Sequence, residues 1–174
     1  MKLGIISDTH DNLPAITAAV EIFKQARVHA ILHAGDYVAP FALARLLQAR
    51  LPVHGVFGNC DGERAGLAKL LPDLADGPRH LELGGRKICI VHDWLRLSHA
   101  DIEASDILVF GHTHEPKIER HEERLLVNPG ECGGWTTGRA TVAILDTDAM
   151  AAETEEVRVK NDTRTKYPSE RAPL

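Results

Sequence analysis

Five short apolar runs in this 174-residue chain each end in side chains that can hold a divalent metal. Leu3–Ile6 leads into Ser7-Asp8-Thr9-His10, and Ala30–Leu32 into His33-Ala34-Gly35-Asp36. Val53–Phe57 leads into Gly58-Asn59-Cys60-Asp61, Lys87–Val91 into His92-Asp93, and Asp106–Phe110 into Gly111-His112-Thr113-His114. Each ending alone has a plain explanation, because Asp after a strand often caps a helix and Gly-Asp is a common turn. Five in one order are hard to explain as packing. Carboxylate, imidazole and amide oxygen together suit Mn, Fe or Zn. Asp8, His10, Asp36, Asn59, His92, His112 and His114 are too many for one catalytic zinc, which takes about three protein ligands. They fit two ions sharing a bridge. Asp36 is the expected bridge, with one carboxylate oxygen for each ion. Two metals roughly 3.5–4 Å apart can hold a hydroxide nucleophile and clamp a phosphoryl group for in-line displacement.

Such residues have to sit at the carboxyl ends of strands, where sites form in open α/β sheets. Lys2–Ile6 reads as a buried strand. A helix follows, with Pro14 in its first turn, Asp11 or Asn12 as its cap, and Leu13, Ile16, Val20 and Phe23 on one face. Strands at Ala30–Leu32 and Pro52–Phe57 and helices at Pro40–Arg50 and Arg64–Leu71 continue a doubly wound α/β pattern. After Pro78 the pattern changes to hairpins: Leu81–Leu83 with Arg86–Val91 around Gly84-Gly85, Ile118–Arg120 with Leu125–Val127, and Ala140–Leu145 with Thr154–Val159. The second half is therefore expected to be largely antiparallel. Two stacked sheets with helices outside reconcile the halves. The expected organisation is one domain over residues 1–159, followed by a polar tail at 160–174.

Composition narrows the function. The apolar fraction is 44% and the charged fraction 26%, as in ordinary globular chains. Aromatics make up only 5% and the net charge is -5, which disfavours nucleic acid and anionic membranes. Bound metal would reverse that sign locally, so a small phosphate ester remains acceptable. No apolar run is long enough to cross a bilayer. Three cysteines without a CxxC pair, and no signal-peptide pattern, lead to the expectation of a cytoplasmic protein. His29, His33, His54, His80, His99 and His121 read as surface or satisfied side chains, and Cys89 as core. A homodimer is left open.

Taken together, Ser7-Asp8-Thr9-His10, Gly35-Asp36, Gly58-Asn59-Cys60-Asp61, His92 and Gly111-His112-Thr113-His114 resemble the five blocks of the calcineurin-like metallophosphoesterases. The match runs from about Met1 to Gly130, and is nearest the small bacterial and archaeal phosphodiesterase branch. That resemblance implies a four-layer α-β-β-α sandwich, an α/β (α+β) fold with two mixed sheets. It implies two divalent ions, Mn first, with Fe, Zn, Co or Ni as alternatives. One would take Asp8, His10, Asp36 and His114, the other Asp36, Asn59, His92 and His112. The implied activity is phosphodiester hydrolysis by a metal-bridging hydroxide. Phosphomonoesterase or nucleotidase activity is the chemical alternative. A protein-interaction scaffold, the use of this fold in a eukaryotic retromer subunit with a degenerate site, is the non-enzymatic one. Asn59 and Asn12 are candidates to touch substrate. Asn59, Cys60 and Asp61 form the candidate catalytic set. Many family members have His at the position of Cys60, thought to protonate the leaving group and to be oriented by the Asp at 61. A thiol is a poorer acid there, with an ordinary pKa of about 8.5. Asp93 stands where Gly is common and Glu131 where many relatives have Ser. Extra negative charge from both is expected beside the pocket, against polyanions.

Overall fold

The computed structural model describes residues 1–159, and the predicted polar tail lies outside the described residues. Two mixed sheets form the molecule. The first runs β11-β10-β1-β2-β3-β4 and the second β5-β6-β7-β9-β8. In the first, β1 (Lys2–Ile6), β2 (Ala30–His33), β3 (Val53–Phe57) and the two-residue β4 (Ala75–Asp76) are parallel. They are linked by α1 (Leu13–Ala26), α2 (Pro40–Leu47) and α3 (Arg64–Leu70). Asn12 caps α1 through its side chain, and Pro14 fits the first turn because its missing N–H has no helical partner to lose. Arg27 turns left-handed at φ 56° and closes the helix.

Period-two alternation in β1 sets the layering. Leu3 and Ile5 point between the sheets, while Ile6 joins the helix-side core. Gly4 leaves room for the Phe23 ring: a Cβ there would come within 2.7 Å of it. The inter-sheet core joins Leu3, Ile5 and Leu32 to Ile88, Ile90, Val109 and Val127, none more than 1% exposed. Each such side chain contributes about 1.5–3 kcal/mol of transfer free energy on burial. This core fixes the strands whose ends carry the candidate ligands.

The second sheet departs from the antiparallel expectation. β5 (Arg79–Leu83) and β8 (Pro116–His121) pair antiparallel with β6 (Arg86–Ile90) and β9 (Arg124–Pro129). β7 (Ile107–Val109), however, runs parallel to both β6 and β9. Its helical cover is thin: a 3-10 turn at Trp94–Arg96 and α4 (His99–Glu103). The last hairpin crosses back to the first sheet, where β10 (Thr141–Asp146) pairs antiparallel with β1. Its partner β11 spans Ala151–Glu156, earlier than the expected Thr154–Val159, because Asp146 accepts the Asp148 N–H and turns the chain at once. Among the described residues no helix is long and apolar enough to cross a membrane.

Candidate metal centre

The five strand ends meet where the two sheets face each other. Their loops are unusual in backbone conformation. Asp8, His10, Asp36, His112 and His114 all have positive φ, between 40° and 68°. Asp and His tolerate that region better than most residues, and such positions gather at functional sites. The sheets are stitched across the seam. The His112 N–H donates to Asp8 Oδ2 at 3.1 Å, and His92 Nδ1 donates to Ala34 O at 2.8 Å.

Side-chain geometry converges on two adjacent carboxylates. Asp8 Oδ1 lies 3.3 Å from His114 Nε2 and 3.9 Å from His10 Nε2. Asp36 Oδ2 lies 3.6 Å from His10 Nε2 and 3.4 Å from His92 Nε2. Asp36 Oδ1 instead accepts the Cys60 N–H at 2.8 Å. A single oxygen of Asp36 therefore faces both imidazoles, in place of the expected one oxygen on each side. Asn59 Oδ1 sits 2.9 Å from His92 Nε2. The ring of His112 stands edge-on to that of His92, with centroids 5.1 Å apart, and it joins none of the three-ligand groups formed by the other residues. Those groups are Asp8–His10–His114, His10–Asp36–Cys60 and Asp8–Asp36–His92. The Cys60 thiol is thus close enough to be a ligand, a role not read from the sequence.

Four expected roles look different in the structure. Asp61 is buried and accepts N–H groups from Asp36, Val38 and Gly58, so it braces two ligand loops and touches no proton donor of the centre. Asn12 caps α1 with its Oδ1 and donates Nδ2 to Gly133 O at 2.7 Å, which commits its side chain to the scaffold. Glu131 places no charge in the pocket. It is fully buried and turned toward its own loop, with an oxygen 3.2 Å from His114 Nδ1. Asp93 is partly buried and caps the 3-10 turn through the Leu95 N–H. His33 is satisfied as expected. It accepts the Gly35 N–H on Nδ1, which leaves Nε2 to meet Thr9 Oγ1 at 3.3 Å.

Electrostatics follow from these contacts. Burial pushes Asp8 above the usual carboxylate range. Burial also acts upward on Asp36, but the His92 imidazole and the Cys60 N–H outweigh it and hold Asp36 well below its ordinary value. Burial acts downward on His92, and the Asp36 carboxylate more than reverses it. Burial drives His33 down to about 3, so it is neutral. Burial, and then the neighbouring Asp36, pushes the Cys60 thiol up to about 11.

The residues fit a metal. Asp8 Oδ1 and His10 Nε2 are buried without a hydrogen-bond partner among the described residues, and both belong to the Asp8–His10–His114 group. Lone pairs crowded together in this way are stabilised by a cation. With Nδ1 of His92 donating to Ala34 O, Nε2 is the ring nitrogen turned toward Asp36 and Asn59, the one a metal would take in exchange for a proton. A separate groove lies away from these residues. It lies between α4 and the outer face of β8 and β9, and takes only Thr113 from the Gly111–His114 loop.

This two-sheet fold is that of a phosphoesterase. The family description for the calcineurin-like phosphoesterase superfamily domain matches residues 1–150, and the chain belongs to that family. Among its relatives, phosphodiesterase MJ0936 of Methanocaldococcus jannaschii is 37% identical over 156 residues, covering 85% of this chain and 94% of the relative. Phosphodiesterase YfcE of Escherichia coli K12 is 30% identical over 167 residues, covering 87% and 90%. A solved structure described as a novel archaeal phosphodiesterase superimposes with a TM-score of 0.80 at 35% identity, covering 90% of this chain and 99% of that one.

Proposed function

We propose that the protein is a phosphodiesterase acting on small phosphate esters with two divalent ions, Mn expected first. One observation carries the reading: Asp36 Oδ2 faces His10 Nε2 and His92 Nε2 at 3.6 and 3.4 Å while Oδ1 is held by the Cys60 N–H. Asp36 so placed would serve both cations. Asp8, His10, Asp36 and His114 would hold one ion, and Asp36, Asn59, His92 and His112 the other. When bound, the pair supplies an activated water and neutralises phosphoryl charge.

The protein's own groups do the rest. Ala34 O holds the His92 ring so that Nε2 is the nitrogen turned into the centre. Asn59 is exposed at the centre, with Nδ2 donating to Cys60 Sγ at 3.3 Å, from where the amide can turn to a phosphoryl oxygen. The exposed Cys60 thiol keeps its proton at neutral pH and gives it up reluctantly, which favours esters with good leaving groups.

The test is to strip the protein with chelator, restore Mn, and assay an aryl phosphodiester beside the matching monoester, with Asp36→Ala and Asn59→Ala in parallel. Diester turnover that requires metal and collapses in both variants is the expected result. A faster monoester would make the protein a phosphatase on the same site. No turnover and no bound metal would sink the enzyme reading.

A further inference from the structure

Glu131 accepts more hydrogen bonds than any catalytic scheme for this site asks of it. Its Oε1 receives the N–H groups of Thr136 and Thr137 and the Thr137 hydroxyl, and its Oε2 receives those of Trp135 and Thr136. The same Oε2 lies 3.2 Å from His114 Nδ1, and the Glu131 N–H donates to His114 O at 3.3 Å. One buried carboxylate thus folds the loop after β9 and grips His114 at two points.

That loop reaches the whole Asp8–His10–His114 group. The Cys132 and Gly133 N–H groups donate to Ser7 O and Asp8 O, each at 2.9 Å. Trp135 Nε1 donates to His10 O at 3.0 Å, and Asn12 pins Gly133. The loop makes no such contact with Asp36 or His92, whose supports are Cys60 N–H and Ala34 O. The side chains of the two halves are therefore held by different groups, while their loops meet through the backbone, the Asp8, Thr9 and His10 N–H groups donating to Gly35 O and Asp36 O.

We propose that Glu131 is the positioning residue for the Asp8–His10–His114 half of the centre. It fixes His114 as the Nδ1–H tautomer with Nε2 toward the metal, and it orders the loop that braces the Asp8–His10 backbone. A carboxylate in this role raises ligand basicity and locks ring orientation, and its removal lowers metal affinity by about 10- to 100-fold. The inference rests on the two-metal reading for its affinity prediction, but not for its statement about the His114 ring.

The experiment uses the full-length chain, stripped with chelator. Mn alone is titrated calorimetrically into wild type, Glu131→Ala, Glu131→Gln and Thr137→Val, and metal-free samples carrying nitrogen-15 histidine are compared by NMR at about pH 8, where imidazole is neutral. Wild type should bind two Mn, with His114 as the Nδ1–H tautomer. Glu131→Ala should keep one Mn at wild-type affinity, weaken the other about 10- to 100-fold, and release the tautomer. Thr137→Val loosens the loop without touching His114, and should keep both affinities within about threefold and the tautomer unchanged. If Glu131→Ala does not fold, Glu131→Gln carries the test. Its amide must turn an NH2 toward His114 or toward the loop N–H groups, so it too should weaken one Mn only. Equal loss at both positions, no loss at either, or a Thr137→Val loss as large as that of Glu131→Ala would overturn the proposal. If wild type binds fewer than two Mn, the two-metal reading fails. The metal-free spectra then decide Glu131 alone, and an unchanged His114 tautomer in both Glu131 variants rejects it.

Discussion

The first sheet supplies the carboxylates of the centre and one imidazole, His10, the second sheet supplies the other three imidazoles, and carboxylates and second-sheet rings are held by opposite chemistry. Asp8, Asp36 and Asp61 accept backbone N–H groups, one of them from His112 across the seam. His92 and His114 give their Nδ1 protons to acceptors, Ala34 O and Glu131. Carboxylates held by donors and rings held by acceptors leave their remaining ligand atoms pointing at one another. The first sheet also carries Asp36, whose Oδ2 faces both His10 and His92, and on the proposed two-metal reading each ring of the second sheet would serve one ion. Loss of a first-sheet carboxylate should therefore cost more than loss of a second-sheet ring.

Asp36→Asn tests that ranking most strongly. The amide oxygen can keep the Cys60 N–H bond, so the loop should survive while the charge facing His10 and His92 is lost. We expect Mn-dependent kcat/KM to fall about 1,000-fold, or about 4 kcal/mol of transition-state stabilisation. His112→Ala removes a ring outside the three-ligand groups and should cost about tenfold to 100-fold. Steady-state kinetics on one diester decide it. An His112→Ala loss equal to that of Asp36→Asn would break the ranking and make the exposed ring a full partner.

Much of this centre was legible because its parts are local. An aliphatic run ending in Asp, Asn or His is visible in a window of ten residues, and five such endings give both the sheets and the ligand types. The parallel strand β7 was not legible. Its three residues, Ile107–Val109, are equally apolar on either pairing, and direction depends on where the chain returns. Glu131 was read as pocket charge because the four loop donors that hold it come from the folded loop. Asp61 was read as an orienting acid because its place beside Cys60 in sequence says nothing of the N–H groups at 36 and 38. The one oxygen of Asp36 shared by two rings follows from a Cys60 amide that no motif marks.

Backbone glycines test how closely the first-sheet loops are packed. A Cβ at Gly58 would collide with Asp36 Oδ1 and come within 2.5 Å of its amide nitrogen, whereas one at Gly62 meets nothing. Gly58→Ala should cost about 1–3 kcal/mol of stability and weaken Mn binding. Gly62→Ala, four residues on, should be neutral or stabilise by about 0.4–1 kcal/mol. Denaturant unfolding with and without Mn separates the two. Equal stabilities would mean that the Asp36 loop yields freely, and that its carboxylate is less firmly fixed than its hydrogen bonds imply.

Cys60 joins the two properties of the first-sheet side, since its amide holds Asp36 and its thiol is exposed beside the metal ligands. If leaving-group protonation comes from this side, an imidazole at 60 should be a better acid at neutral pH than a thiol raised to about 11. Cys60→His keeps the backbone N–H to Asp36, so metal binding should persist. The ratio of monoester to diester turnover should then shift about tenfold toward the poorer leaving group. Parallel assays on matched aryl and alkyl esters read it directly. An unchanged ratio would move proton delivery to the second sheet, where the exposed ring of His112 beside His92 is the group in position to provide it.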